Sequence, residues 1–170
     1  MLNSTGDPLM KNEIYTYFAY GSNLNKAQMR LRCPKAELVD TGIIKDYNLV
    51  FRRVADIEYA PCDGHDVPVG IWRITQDCLD ALDIYEGYPS LYRREILEAE
   101  SNRDWGTWQG ITYLMNSKSY AMPSPDYYAS IEQGYFDCDL ELEPLQEALH
   151  NTLCEVSKSE RNQWTRYRSA

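Results

Sequence analysis

Tyr15-Thr16-Tyr17-Phe18-Ala19-Tyr20 runs straight into Gly21-Ser22-Asn23-Leu24, and that junction limits the folds open to this chain more than any other stretch. The first six residues are aromatic and β-branched, which suits a half-buried strand. Beyond the junction, Asn25 to Arg32 holds good helix formers, with Asn25 as N-cap and Pro34 as the stop. Leu24, Ala27 and Leu31 are expected to share the apolar face of this helix. A strand that turns sharply into a helix places successive backbone amides at one point.

The remaining chain alternates in the same way. Val39–Ile44 and Tyr47–Arg52 read as strands around a Lys45-Asp46 turn, followed by a turn-rich segment from Ala60 to Asp66. Val67 to Ile74 is a further strand, and Pro68 starts it at Val69 or leaves it at an edge there. Thr75 caps a short helix whose apolar face is Leu79, Leu82 and Ile84 or Tyr85, and Gly87 ends it. Tyr92–Ala99 and Thr107–Met115 form a strand pair around Ser101 to Asp104. Ser124-Pro125 opens another helix, and a last one spans roughly Leu142 to Val156. The order predicts an α+β domain over 15–156, a mixed β-barrel-like sheet with flanking helices. Residues 1–14 and 157–170 read as polar tails.

Charge and cysteine usage exclude several roles. The formal net charge of −9 argues against a nucleic-acid binder and against docking on an anionic membrane. No run approaches the ~20 apolar residues of a membrane span. Five scattered cysteines without a C-x-x-C pair suggest free thiols in a reducing compartment, with cytoplasm as the default. His65 and His150 lie far from any cysteine pair, so no metal site is expected. Neither histidine belongs to a nucleophile motif. Arg52-Arg53 and Arg93-Arg94 are candidates to meet a substrate carboxylate, but read rather as exposed strand residues.

Two segments carry candidate chemistry. The amides around Tyr20-Gly21-Ser22-Asn23 can cradle a carboxylate or oxyanion, helped by the helix N-terminus behind them. Gly21 permits close approach to the backbone. Taken alone, the stretch reads as an ordinary strand-to-helix turn. Glu86 ends a helix, where the macrodipole opposes its charge, and Tyr85, Tyr88 and Tyr92 stand near it in sequence. Shielding by those rings would raise its pKa toward a value suited to proton transfer. Taken alone, it reads as a solvated glutamate. Fourteen tyrosines against three phenylalanines also favour a small polar pocket, although most tyrosines read as half-buried strand residues.

In series these residues resemble the γ-glutamylcyclotransferase family, with its plant and bacterial AIG2-like relatives. Phe18 to Leu24 matches the signature loop, and Arg32 to Ala36 the segment after it. Asp46 to Phe51, Val69 to Trp72 and Leu82-Asp83 with Glu86-Gly87 follow in family order. Tyr92, Tyr113 to Met115 and Pro123 to Pro125 with Tyr127 complete the pattern. The resemblance implies intramolecular closure of a γ-glutamyl group to 5-oxoproline without a cofactor, releasing an amino acid or amine. It implies Glu86 as catalytic acid/base. It implies Tyr20, Gly21, Ser22, Asn23, Leu24, Tyr92, Tyr113 and Tyr127 as substrate-binding residues, with a small γ-glutamyl molecule as partner. A homodimer stays among the open oligomeric states. The Glu86–Arg94 stretch looks like the bacterial and AIG2-like branch, and Pro123–Tyr127 like the animal branch, so the leaving group stays open. Removal of a γ-glutamyl protecting group and non-enzymatic ligand sequestration are the rival readings.

Overall fold

A computed structural model describes residues 13–168. Apart from Glu13 and Ile14, the expected N-terminal tail lies outside the described residues. The chain order is β1 (Ile14–Ala19), a one-turn 3-10 helix (Ser22–Leu24), α1 (Lys26–Arg32), β2 (Glu37–Lys45), β3 (Tyr47–Phe51), β4 (Ala55–Tyr59) and β5 (Asp66–Thr75). Then follow α2 (Gln76–Glu86), β6 (Tyr92–Ser101), β7 (Thr107–Met115), α3 (Pro125–Asp137), α4 (Glu143–Glu155) and α5 (Lys158–Arg168).

Five strands close a barrel in the order β1-β5-β2-β6-β7. All neighbours are antiparallel except β1 and β7, whose parallel contact at Tyr17 and Ile111 completes the closure. A bulge between Leu38 and Asp40 bends β2, the kind of irregularity that lets a short sheet curl. The expected α+β barrel-like sheet with flanking helices is therefore present. Phe18, Ile44, Val69, Ile71 and Ile74 are fully buried, part of one cluster that reaches Trp164.

Several local expectations need correction. β2 and β3 do not pair with each other. At Asp46, whose φ is 62°, the chain leaves the barrel, and β3 pairs instead with β4. The sequence predicts no strand over 55–59, because the alternation of β4 is masked by Asp56, a carboxylate buried in a strand. Pro68 lies within β5, so a start at Val69 does not hold, whereas the expected edge position does. Pairing with β1 covers only Gly70–Thr75, so Pro68 has β2 on one side alone and no ladder bond is forfeited. On α2 the buried face is Cys78, Leu79 and Leu82, with Ile84 and Tyr85 exposed, and on α1 the buried side chain is Met29, whereas Ala27 and Leu31 are exposed. Leu24 belongs to the 3-10 turn, which offsets the helical face from the one counted through it.

The C-terminal segment also departs from expectation, since 158–168 is helical. Its polar composition conceals one anchor. Trp164 is buried, its indole N–H donates to the Pro123 carbonyl at 2.8 Å, and its ring meets Tyr128 edge-on. The Glu160 carboxylate accepts the Met122 amide at 2.8 Å. Arg52 is likewise not an exposed strand residue. It is buried and gives hydrogen bonds of 2.8 Å to Asp56 and 2.6 Å to Glu58. Asp56 accepts the Met115 amide in turn, so this cluster ties the β3–β4 hairpin to the barrel.

Candidate active site

Where β1 ends, the chain makes a single 3-10 turn before α1. Its bonds run from the Leu24 amide to Gly21 O and from the Asn25 amide to Ser22 O. Among the described residues, the amides of Gly21, Ser22 and Asn23 have no protein acceptor. The expected contribution of the helix N-terminus is altered, because α1 is capped separately. Asn25 Oδ1 accepts from Gln28 N and Asp137 from Lys26 N. The cradle is thus the 3-10 turn itself. It is held from behind by α3, which approaches so closely at Gly134 that a Cβ there would lie 2.6 Å from Leu24 Cβ.

Gly21 does permit close approach, but to a wall of the protein. A Cβ at this position would stand 3.3 Å from Ala55 Cβ and 3.4 Å from the Tyr127 hydroxyl. Tyr127 reaches this point because Ser124 caps α3 and directs its first turn inward. Its hydroxyl accepts the Ala55 amide at 3.0 Å.

Glu86 is the last residue of α2, whose start is capped by Thr75 and whose end is closed by Gly87 in the left-handed region. The carboxylate turns inward and faces the cradle. The Asn23 side-chain amide donates to Glu86 Oε1 at 3.2 Å and to the Tyr17 hydroxyl at 2.8 Å. Arg32 donates to Asn23 Oδ1 at 2.6 Å. A guanidinium only donates, so this bond fixes which end of the Asn23 amide faces Glu86. Arg32 also lies 3.7 Å above the Tyr85 ring and donates to its hydroxyl.

Burial is the largest influence on Glu86 and pushes its pKa up from 4.5 to about 7, against the opposing pull of Arg32 and Asn23. Tyr92 and Tyr85 share its cavity as expected, while Tyr88 does not and instead lies against Arg94. Burial likewise holds the hydroxyls of Tyr17, Tyr20, Tyr92, Tyr113 and Tyr127 above the ordinary tyrosine value, so they serve as neutral groups.

The cavity between these groups measures about 260 Å³. It brings together Tyr20, Gly21, Ser22, Asn23, Glu86, Tyr92, Tyr113 and Tyr127. Leu24 is not part of the lining; it is fully buried in the core and supports the turn from beneath. Tyr20 donates to the Tyr113 carbonyl, and the Tyr113 hydroxyl donates to Asp83 at 2.7 Å. Asp83 also binds Arg94, so one turn of α2 before Glu86 a second carboxylate braces the tyrosine wall. Sequence reasoning missed Tyr17, Arg32, Asp83 and the Val54-Ala55 wall. Arg32 has a faint signal, since two helical turns from Asn25 return it beneath the loop.

Among the described residues, no three His, Cys, Asp or Glu side chains gather as a metal set. Cys33 is buried and its thiol pKa is pushed up to about 12, which unsuits it as a nucleophile. What the arrangement offers is one carboxyl group poised near neutrality, opposite unpaired amides, in a small tyrosine-lined cavity. That equipment is chemically suited to moving a proton and stabilising a negative oxygen within one small substrate.

The family model described as "Gamma-glutamyl cyclotransferase, AIG2-like" matches residues 17–137. A γ-glutamylcyclotransferase of Mus musculus is 30% identical over 136 residues, covering 73% of this chain and 71% of its own. The Homo sapiens γ-glutamylcyclotransferase is 29% identical over 143 residues, with coverage of 77% and 75%. A solved structure titled "Gamma-glutamyl cyclotransferase" superposes with a TM-score of 0.72 at 28% identity, covering 81% of this chain and 87% of that one.

Proposed function

The chain belongs to the gamma-glutamyl cyclotransferase, AIG2-like family and is an enzyme of that type, and from that premise we propose how its cavity closes a γ-glutamyl group to 5-oxoproline. The substrate is a small γ-glutamyl amino acid or amine. Its free α-amine attacks its own γ-carbonyl carbon, and a five-membered ring forms. The bond between that carbon and the leaving nitrogen then breaks. Nucleophile and electrophile belong to one molecule, so the protein supplies folding of the substrate, charge stabilisation and proton transfer.

Glu86, in its ionised form, takes the proton that the attacking amine must lose. It then gives a proton to the departing nitrogen, so acid and base are one group and the net proton count is unchanged. The amides of Gly21, Ser22 and Asn23 hold the negative oxygen of the substrate, either its α-carboxylate or the oxyanion developing on the γ-carbonyl. Tyr92, Tyr113 and Tyr127 pack against the aliphatic chain. Asn23 and Arg32 are positioning residues that orient Glu86 toward the amides.

One observation carries this reading: a carboxylate shifted to about pH 7 stands hydrogen-bonded to the side chain of the cradle loop, across a cavity of small-metabolite size. Its test is product analysis with γ-glutamyl-alanine. Equal amounts of 5-oxoproline and alanine are expected, whereas glutamate with alanine would mean hydrolysis and contradict cyclisation. Tight binding without turnover would favour sequestration. Among the described residues, no helix is long and apolar enough to cross a membrane.

A further inference from the structure

Val54 and Tyr127 line two cavities, not one. Beyond them lies a second space of about 730 Å³. Its floor is apolar, made by Met122, Pro123 and Trp164, and α5 forms its outer wall. That wall is fixed by the bonds from Trp164 to Pro123 and from Met122 to Glu160 already described. Asp126 and Glu160 add two carboxylates to its lining.

At the Val54 end stands Arg53. It sits in the β3–β4 connection with φ of 72°, an uncommon backbone state for a side chain of this size. Bonds hold the backbone there: the Arg53 amide donates to Ala121 O at 2.9 Å, and the Arg52 amide donates to Val54 O at 2.8 Å. Its neighbour Arg52 is consumed by Asp56 and Glu58. Arg53 itself is exposed, and among the described residues no carboxylate pairs with it. A cation on the rim of a cavity, with its backbone held in place and no carboxylate partner among the described residues, marks a place for an anion.

A γ-glutamyl substrate has two ends. The glutamyl end is matched by the cavity of Glu86, and Val54 and Tyr127, common to both linings, set the second cavity beside it. We propose that the second cavity is the leaving-group subsite, and that it takes an amino acid whose carboxylate pairs with Arg53 and whose large apolar or aromatic side chain lies on Met122, Pro123 and Trp164. Asp126 and Glu160 in the lining turn away leaving groups with a second carboxylate. This assignment rests on the cyclotransferase reading above.

The test compares γ-glutamyl-phenylalanine with γ-glutamyl-phenethylamine, which lacks the carboxylate, in the unaltered protein, Arg53→Met and Arg53→Lys. A charged pair at this point makes kcat/KM about tenfold to a hundredfold higher for the carboxylate substrate. Arg53→Met abolishes that preference and Arg53→Lys retains part of it. Both variants keep an unbranched side chain at the same backbone state, and thermal melts check their folding. A preference absent from the unaltered protein, or unchanged in Arg53→Met, overturns the subsite. No 5-oxoproline from either substrate in the unaltered protein overturns the cyclotransferase reading and the subsite with it.

Discussion

The side-chain amide of Asn23 points its NH2 group at the Glu86 carboxylate, 3.2 Å from Oε1, because Arg32 occupies its oxygen at 2.6 Å. Two residues from one loop and its following helix thereby orient a glutamate 63 positions after Asn23 and oppose the rise in its pKa that burial causes. Activity should follow the ionisation of that glutamate.

The acidic limb of the kcat/KM profile is expected to bend at about pH 7, since only the ionised Glu86 accepts a proton. Arg32 lowers this pKa, so Arg32→Met raises it and moves the limb to higher pH. Initial rates across pH 5–9 read both quantities. A limb that stays in place in a folded Arg32→Met protein contradicts the assignment.

The same burial has a cost in stability. A carboxyl whose folded pKa lies above its ordinary 4.5 binds its proton more tightly when folded, so stability is lost as pH rises from about 4.5 to about 7. Glu86→Gln removes this loss. It is expected to raise stability at pH 8 by about 1–3 kcal/mol and to leave it little changed at pH 4.5. Urea unfolding at the two pH values measures the difference.

Arg52 is expected to matter for folding far more than an arginine in a hairpin ordinarily does. Arg52→Met strands the buried Asp56 without its partner and should cost about 3–5 kcal/mol. Asp56 also accepts the Met115 amide, and Val54, Ala55 and Met115 line the reaction cavity. A fall in activity should therefore accompany the fall in the urea midpoint. A variant as stable as the parent would show that this cluster does not hold the hairpin.

Local signals were readable along the chain because they depend on neighbours. Asn25, Thr75 and Ser124 cap their helices, Gly87 ends α2, and the Tyr15–Tyr20 strand turns into the cradle as its residue types dictate. Burial decided by distant partners was not readable. Arg52 looked exposed because Asp56 and Glu58 are brought to it only by the hairpin, and β4 was missed for the same reason. Leu24 belongs to the signature loop, yet it supports the turn from the core, which motif position alone does not disclose. Residues 158–168 looked like a tail because a single buried tryptophan, Trp164, outweighs a polar average.

The pocket's most direct test is the rate of 5-oxoproline release by Glu86→Gln, measured at saturating γ-glutamyl substrate with folding verified by its melt. Glutamine keeps the shape of the side chain and removes only its proton transfer. A loss of roughly 10²–10⁴-fold is expected. A folded Glu86→Gln protein that releases 5-oxoproline at the parent rate would contradict the role given to Glu86.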